Sequence, residues 1–211
     1  MATVPLMPKQ PVTDLILASG SRFRRRMLED AGIAFSIEMA EVDEPAARAA
    51  MARERLPVAP GEVALRLAGL KAIDVSRRHP NALVIGADQV LALEGDIFGK
   101  PSDVPAARAQ LMTLRGRTHT LPTGVVLAQG GAVVWQHLGV ALLQMRDFGA
   151  GFLEAYLAAA GDVVLETVGG YALEGLGAQL FERVEGDYFT VIGLPLVPLL
   201  GELRRRGMIL T

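Results

Sequence analysis

The first residues with the types and spacing for chemistry form the stretch SGSRFRRR, residues 19–26. It follows the short apolar run LILA, which predicts a buried strand, and it opens a helical pattern that stops at Gly32. A strand that turns into a helix through small hydroxyl residues presents free backbone N–H groups to an anion. The arginines at positions 22, 24, 25 and 26 add guanidinium groups that match phosphate oxygens. The stretch predicts a phosphate site, and the alternative is a serine N-cap beside a solvated basic helix face.

Two acidic turns supply carboxylates farther along the chain, EVDE at residues 41–44 and GAD at residues 86–88. Asp88 interrupts an otherwise apolar strand pattern, and a buried carboxylate is costly unless it is paired, hydrogen-bonded or bound to a cation. Magnesium is usually held by one or two carboxylates together with phosphate oxygens and water. Glu44 and Asp88 could supply that set if their segments converge. The alternatives are a structural ion pair for Asp88 and an exposed turn for Glu44.

Lys71 and Lys100 add two cationic candidates. Lys71 lies in RLAGLKA, within a helical pattern, and Lys100 stands between a glycine and a proline in FGKPSD. Either could bind a phosphate as a point charge, although a surface lysine is the ordinary explanation for each. His119, near Arg115 and Arg117, could border the same site. A zinc site is not expected, because no second histidine stands at metal-ligand spacing.

Composition excludes several classes of protein. The chain has 211 residues, 51% of them hydrophobic and 21% charged, so a core can be buried and a disordered protein is excluded. The lack of cysteine excludes a disulfide scaffold, an iron–sulfur cluster and a cysteine nucleophile. A net charge of −2 argues against a nucleic-acid-coating surface. No apolar run reaches the roughly 18 residues that span a membrane, and no secretory signal opens the chain, so the cytoplasm is the expected location.

The pattern of elements predicts an α/β protein of mixed α+β type. Helical patterns alternate with strand patterns, and turn signals at EGD and at Gly130-Gly131 indicate hairpins. Strands joined both by helices and by hairpins predict a mixed sheet. We expect a second strand over residues 35–42 and one continuous central strand over residues 82–93. Without a linker between domains, the prediction is one domain over residues 14–211 with two lobes, after a flexible leader over residues 1–13.

Eight motifs together resemble the Maf-like family of nucleoside triphosphate pyrophosphatases. In chain order they are LILASGSRFRR, EVDE, LRLAGLKA, VIGADQV, GKP, LRGRTHT, EGLGAQLFERVEGDY and VIGLPL. They occur in the family's order and span residues 15–196. One departure is plain, because Arg22 stands where the family usually has proline. The resemblance implies a Maf/ITPase-like fold, an elongated mixed sheet flanked by helices with a deep cleft between two lobes.

The resemblance also implies an activity and a set of site residues. The family cleaves a nucleoside triphosphate between the α and β phosphates with a divalent metal, Mg²⁺ or Mn²⁺. By position, Asp88 resembles the general base and Glu44 a second catalytic or metal-proximal carboxylate, and both would hold the metal. The residues that resemble the phosphate-contacting set are Ser19, Arg24, Lys71 and Lys100. Such a site suits phosphoryl transfer, which asks mainly for positioning and charge neutralisation.

Three further positions bear on the nucleotide base. Phe23, Gln89 and Glu174 resemble the branch of the family that acts on 7-methyl-GTP, whereas the branch acting on dTTP and UTP tends to carry arginine, threonine and glutamine there. A methylated guanine is cationic and favours an aromatic face near a carboxylate. The alternative for Phe23 is packing under the first helix. A broader substrate set, and a nucleotide-binding regulator of cell division (septum formation), remain alternatives. The resemblance also allows a homodimer.

Overall fold

The computed structural model describes residues 14–210, so the leader predicted over residues 1–13 lies outside the described residues. One sheet runs through the molecule. Its strands are β1 (Leu15–Leu17), β2 (Ser36–Ile37), β3 (Leu83–Gln89), β4 (Leu91–Leu93), β5 (Asp96–Phe98), β6 (Thr118–Gln129), β7 (Ala132–Met145) and β8 (Phe181–Glu185). The helices are α1 (Arg22–Asp30), α2 (Glu44–Ala52), α3 (Pro60–Arg78), α4 (Val104–Leu114), α5 (Ala150–Ala160), α6 (Val163–Glu166), α7 (Tyr188–Ile192) and α8 (Leu196–Arg205).

The sheet is mixed, as the sequence predicts. Its order is β2-β1-β3-β6-β4-β5, and β7 and then β8 extend it from β6. Strands β1, β2 and β3 are parallel, whereas β6 pairs antiparallel with β3, β4 and β7. Helices connect the parallel strands, and hairpins connect β4 with β5 and β6 with β7, so both connection types occur in one chain. The expected α/β class with helices around an open mixed sheet is confirmed.

Two strand predictions are wrong in their bounds. The central strand over residues 82–93 is interrupted at Val90. Its N–H donates to the Pro122 carbonyl of β6 at 3.1 Å, in register with the neighbouring pairs, but Pro122 has no N–H with which to complete the pairing. The second strand ends at Ile37 because the following backbone bonds to side chains of α3. The Met39 carbonyl accepts from Arg78, and Glu41 N–H donates to Asp74 at 2.9 Å. Both irregularities lie where the chain turns toward the acidic residues.

Helix α3 lies unusually close to the sheet. Its inner face carries Ala64 and Ala68, both fully buried, and it faces glycines of β3 and β6. A Cβ atom added at Gly86 would lie 2.1 Å from the Ala68 carbonyl oxygen, and one at Gly124 would lie 2.9 Å from the Ala64 oxygen. The missing side chains therefore let the helix rest on the strand backbone. This contact brings Lys71 beside β3.

Two large apolar clusters flank the middle of the sheet. One is built from α4, α5 and α6 against β4, β6 and β7, and it includes Leu121 and Tyr171. The other is built from α1 and α8 against β1 and β3, and Ile192 packs against it. Across residues 14–210 no helix has both the length and the apolar character needed to cross a bilayer. A division of the domain into two lobes stays a prediction.

His119 does not border a phosphate site, so that expectation is wrong. Its side chain lies on the buried face of β6, is 1% exposed and packs against the rings of Tyr171 and Phe181. Its Nε2 atom lies 2.6 Å from the Tyr171 hydroxyl oxygen. Burial lowers the pKa of His119 to about 4, so the imidazole is neutral at physiological pH.

The close approach at Gly86 predicts a large cost for any side chain there. Gly86→Ala should lower the free energy of unfolding by about 3 kcal/mol, because the methyl group meets backbone that cannot move away. Gly69→Ala, in α3, is the matched control, since no heavy atom lies within 4 Å of its added Cβ. That change should leave stability unchanged or raise it by up to about 1 kcal/mol. Urea unfolding of the three proteins measures both effects, and equal stability of the two variants would contradict the packing argument.

The neutral His119 predicts a loss of stability in acid. Its pKa is lower in the folded than in the unfolded chain, so stability is complete above about pH 6.5 and falls as the pH approaches 4. Between pH 7.5 and pH 5 the loss from this residue should be about 2 kcal/mol. Unfolding free energies at both pH values should show this loss for the wild type and for His137→Gln. In His119→Gln the loss should be absent, and an unchanged pH dependence there would contradict the assignment.

Candidate active site

A cleft of about 670 Å³ opens beside the break between β3 and β4. The starts of α1 and α2, helix α3, the end of β3, the loop after β5, the segment 166–174 and the end of α7 all contribute to its lining. The structure brings all nine residues proposed from the sequence into this one cleft. They are Ser19, Phe23, Arg24, Glu44, Lys71, Asp88, Gln89, Lys100 and Glu174.

The turn after β1 fixes one arginine in the cleft. Ser21 caps α1, and its side chain accepts from Arg24 N–H. The Arg24 guanidinium donates through Nη1 to Ser19 Oγ at 3.0 Å and through Nε to the Gly193 carbonyl at 2.7 Å. Burial lowers the pKa of Arg24, while the charges of Asp88 and Glu44 oppose that shift. Arginine stays protonated under these conditions, so the turn holds a permanent cation in the cleft.

The other three arginines of the stretch are directed elsewhere, so the expectation of four guanidinium groups at one anion is wrong. Arg25 and Arg26 form exposed ion pairs with the carboxylates four residues later on α1. Arg22 pairs with Glu166 at 2.7 Å, and its guanidinium carbon lies 4.9 Å from the centre of the Phe23 ring. Phe23 is only partly buried and lines the cleft, so it does not pack wholly under α1.

The centre of the cleft is a cluster of four charged residues, which we call the Lys71 centre: Lys71, Asp88, Glu44 and Arg48. The Asp88 side chain is 7% exposed. Lys71 Nζ lies 2.7 Å from Asp88 Oδ1 and 2.9 Å from Glu44 Oε1. The other Asp88 oxygen, Oδ2, accepts from Arg48 Nη2 at 3.2 Å. Asp88 thus forms the ion pair that was the structural alternative for it, and this ion pair lies in the cleft.

The Lys71 centre has the donor set that magnesium prefers. Asp88 and Glu44 reach the same ammonium nitrogen, so their carboxylates lie close enough to share one cation. Within the described part of the chain, no group of three or more aspartate, glutamate, histidine or cysteine side chains is placed to bind a metal. A cation held by Asp88 and Glu44 would therefore complete its shell with water and substrate oxygens, which is how magnesium usually binds beside phosphates.

Lys100 lies on the loop that follows β5, where it is exposed and lines the cleft. None of the carboxylates in residues 14–210 forms an ion pair with it. The ammonium group is therefore available to a mobile anion in the cleft.

The residues proposed for base recognition lie on different elements. Gln89 is held rigidly, because its Nε2 donates to Thr123 Oγ1 at 2.8 Å and to the Thr190 carbonyl at 2.9 Å. Phe23 contributes an aromatic surface from α1, and Glu174 an exposed carboxylate from the segment 166–174. The cleft therefore offers a ring, a fixed amide and a carboxylate in addition to its cations.

Among the charged and aromatic residues that line the cleft, sequence reasoning missed three: Arg48, Glu166 and Tyr171. Arg48 could have been found, because it stands four residues after Glu44 and shares its face of α2. Glu166 and Tyr171 carry no local signal, since only the tertiary fold brings their segment to the cleft.

Comparison with known proteins shows to which family the chain is related. The family model described as Maf-like protein matches residues 14–206. A 7-methyl-GTP pyrophosphatase of Brucella abortus biovar 1 (strain 9-941) is 50% identical over 195 residues, 92% of this chain and 97% of that protein. A nucleoside triphosphate pyrophosphatase of Paramagnetospirillum magneticum is 53% identical over 192 residues, 91% and 98% of the two chains. A 7-methyl-GTP pyrophosphatase of Mesorhizobium japonicum is 49% identical over 195 residues, 92% and 97%. With the family model covering nearly the whole chain and relatives this similar, the chain belongs to the Maf-like protein family.

Proposed function

We propose that this chain hydrolyses nucleoside triphosphates between the α and β phosphates, with 7-methyl-GTP as its preferred substrate. The observation that carries the proposal is the Lys71 centre, a buried carboxylate held by cations inside a cleft of nucleotide size. Relatives at about 50% identity over most of both chains bear the name 7-methyl-GTP pyrophosphatase, which supports the same assignment.

Asp88 is the group best placed to act as the general base. It would accept a proton from a water molecule whose oxygen bonds to the α-phosphorus, while the bond from that phosphorus to the bridging oxygen breaks. The products are a nucleoside monophosphate and pyrophosphate. A side chain that is buried in the sheet and fixed by Lys71 at 2.7 Å meets the demand for a base in one position.

We propose that Asp88 and Glu44 hold a divalent cation, Mg²⁺ or Mn²⁺. Such a cation neutralises charge on phosphate oxygens as it develops during the reaction. The fit rests on the chemistry of the donors, two carboxylates that converge on one ammonium group.

Four residues are assigned to the phosphates. Arg24 and Ser19 form a hydrogen-bonded unit at the start of α1, where the helix end also favours an anion. Lys71 and Lys100 supply point charges from α3 and from the loop after β5. Phosphoryl transfer depends mainly on such positioning and charge neutralisation, so these residues need no chemistry of their own.

The preference for 7-methyl-GTP is assigned to Phe23, Gln89 and Glu174. The methylated guanine carries a positive charge, which an aromatic face and a carboxylate both stabilise. Gln89 presents an amide that its own hydrogen bonds hold in one orientation, and this suits a base edge.

A broader substrate set, with dTTP and UTP included, is the second candidate. It is favoured by the relative from Paramagnetospirillum magneticum, which at 53% identity carries the general name of nucleoside triphosphate pyrophosphatase. A homodimer, a cytoplasmic location and a regulatory role in cell division stay predictions from the sequence.

The reaction is tested by pyrophosphate release from 7-methyl-GTP, GTP, dTTP and UTP at equal concentration, with magnesium and with EDTA. The wild type should act fastest on 7-methyl-GTP and should stop in EDTA. Asp88→Asn keeps the shape of the side chain but accepts no proton, so release should fall at least about 100-fold. Asp96→Asn, an exposed change outside the cleft lining, should keep wild-type activity. A folded Asp88→Asn protein with turnover near that of the wild type would remove Asp88 from its role, and a fastest rate on dTTP or UTP would favour the second candidate.

The base preference is tested at Glu174. Glu174→Gln removes one negative charge with little change in shape, so kcat/KM for 7-methyl-GTP should fall about fivefold, the equivalent of about 1 kcal/mol. The value for GTP, whose base is uncharged, should change less than twofold. Glu182→Gln, an exposed change on β8 outside the cleft lining, should leave both values as they are. Equal losses for the two substrates in Glu174→Gln would contradict charge recognition of the base.

A further inference from the structure

Arg48 is the cation of the Lys71 centre that the sequence did not identify. It lies on α2, one turn after Glu44, and its side chain is 33% exposed. Its Nη2 donates to Asp88 Oδ2 at 3.2 Å, and its side chain lines the cleft. The structure therefore places a guanidinium group against the carboxylate proposed as the base.

Arg48 is bound more loosely than the other two cations that surround Asp88. Lys71 is 12% exposed and contacts two carboxylates at 2.9 Å or less. Arg24 is anchored to a serine hydroxyl and to a backbone carbonyl. Within residues 14–210, Arg48 has one ion pair, and that contact is longer than either contact of Lys71. A guanidinium has five N–H donors, so most of those on Arg48 are available to a ligand.

The two contacts of Asp88 create a conflict with its proposed role. Lys71 occupies Oδ1 and Arg48 occupies Oδ2, so each carboxylate oxygen already accepts a charged hydrogen bond. Each carboxylate oxygen has two lone-pair positions, so Arg48 takes up one of the two on Oδ2 and competes there with the water that the base must contact. Arg48 is the more exposed partner with the longer contact, so it is the one that can leave at lower cost.

An incoming triphosphate supplies a stronger attraction for that guanidinium. Its terminal phosphates carry more negative charge than one carboxylate, and arginine binds phosphate oxygens in a bidentate manner. Arg24 is bound to Ser19 Oγ and to the Gly193 carbonyl, close to the Gln89 amide assigned to the base, so among the phosphates it is placed for the one nearest the nucleoside. A Cβ atom added at Gly193 would lie 3.8 Å from both Arg24 Nη2 and Gln89 Oε1, so the heads of these two side chains are neighbours. Arg48, on α2, is the remaining arginine for the phosphates beyond the α position.

We infer that Arg48 is a substrate-contacting residue whose guanidinium moves from Asp88 to the β and γ phosphates when a triphosphate enters. The move would free Asp88 Oδ2 at the time when the base is needed. The inference rests on the proposed function of the cleft, and it assigns a role to a residue outside the phosphate-binding set given above.

Product binding tests the inference without turnover. Calorimetric titration of inorganic pyrophosphate and of 7-methyl-GMP, each with MgCl₂, is carried out on the wild type, Arg48→Ala, Arg48→Lys and Arg53→Ala. Arg48→Ala should bind pyrophosphate at least tenfold more weakly and 7-methyl-GMP within twofold of the wild type. Arg48→Lys should recover part of the loss, because it keeps the charge without the planar fork. Arg53, exposed at the end of the same helix and outside the cleft lining, is the matched control and should bind both products as the wild type does.

The outcomes separate a phosphate ligand from a structural partner of Asp88. Unchanged pyrophosphate affinity in Arg48→Ala, or an equal loss for both products, would overturn the inference. Thermal unfolding checks that the variants are folded, and Arg48→Gln replaces Arg48→Ala if the alanine variant is not. Pyrophosphate release by the wild type is measured in parallel. A wild type that hydrolyses no triphosphate, with pyrophosphate affinity still dependent on Arg48, would contradict the proposed function and support the role of Arg48.

Discussion

The candidate site depends on the burial of one carboxylate, that of Asp88, in the middle of the sheet. A buried charge without a partner costs several kcal/mol, so a cation has to reach it, and Lys71 does so at 2.7 Å. Lys71 can reach Asp88 because α3 rests on the strand backbone at Gly86, where no side chain separates helix and sheet. The alanines of α3, the glycines of the strands and the charged centre of the cleft are therefore parts of one arrangement. A change in the packing of α3 is also a change in the electrostatics of Asp88.

Some cations of the cleft form no ion pair with Asp88 or Glu44. Arg24 and Lys100 have no ion-pair partner within the described residues, and Lys100 is exposed, so the cleft keeps cationic groups that only a ligand would neutralise. Glu174, by contrast, is an exposed carboxylate on the segment that faces α1. A ligand with an anionic tail and a cationic ring matches this separation of charge. The proposed phosphate binding and the proposed selection of the base would therefore both rest on these charges.

Local patterns predicted most of the elements and the identity of the central residues. The prolines that bracket α3, the Gly130-Gly131 turn and a carboxylate in an apolar strand are signals within a few residues of one another, and each was correct. The break at Val90 has no local signal, because it depends on Pro122 of the neighbouring strand β6, which has no N–H to donate. The directions of the arginine side chains on α1 were not predicted either, although Arg25 and Arg26 could have been assigned to the carboxylates four residues later. The charge of a side chain can be read from the sequence, whereas the tertiary structure decides which partner it pairs with.

The pairing of Asp88 with two cations reconciles stability with chemistry. In the free protein, Lys71 and Arg48 both pair with the buried carboxylate, which offsets the cost of burying its charge. If a polyanion attracts Arg48 as we infer, Asp88 would lose one of these contacts only when phosphates are present. Binding energy from groups remote from the reacting atoms is then used to prepare those atoms, which is how differential binding raises a rate. In the proposed mechanism the charged centre would stay paired without substrate, and the Lys71 contact at 2.7 Å would hold Asp88 in place in both states.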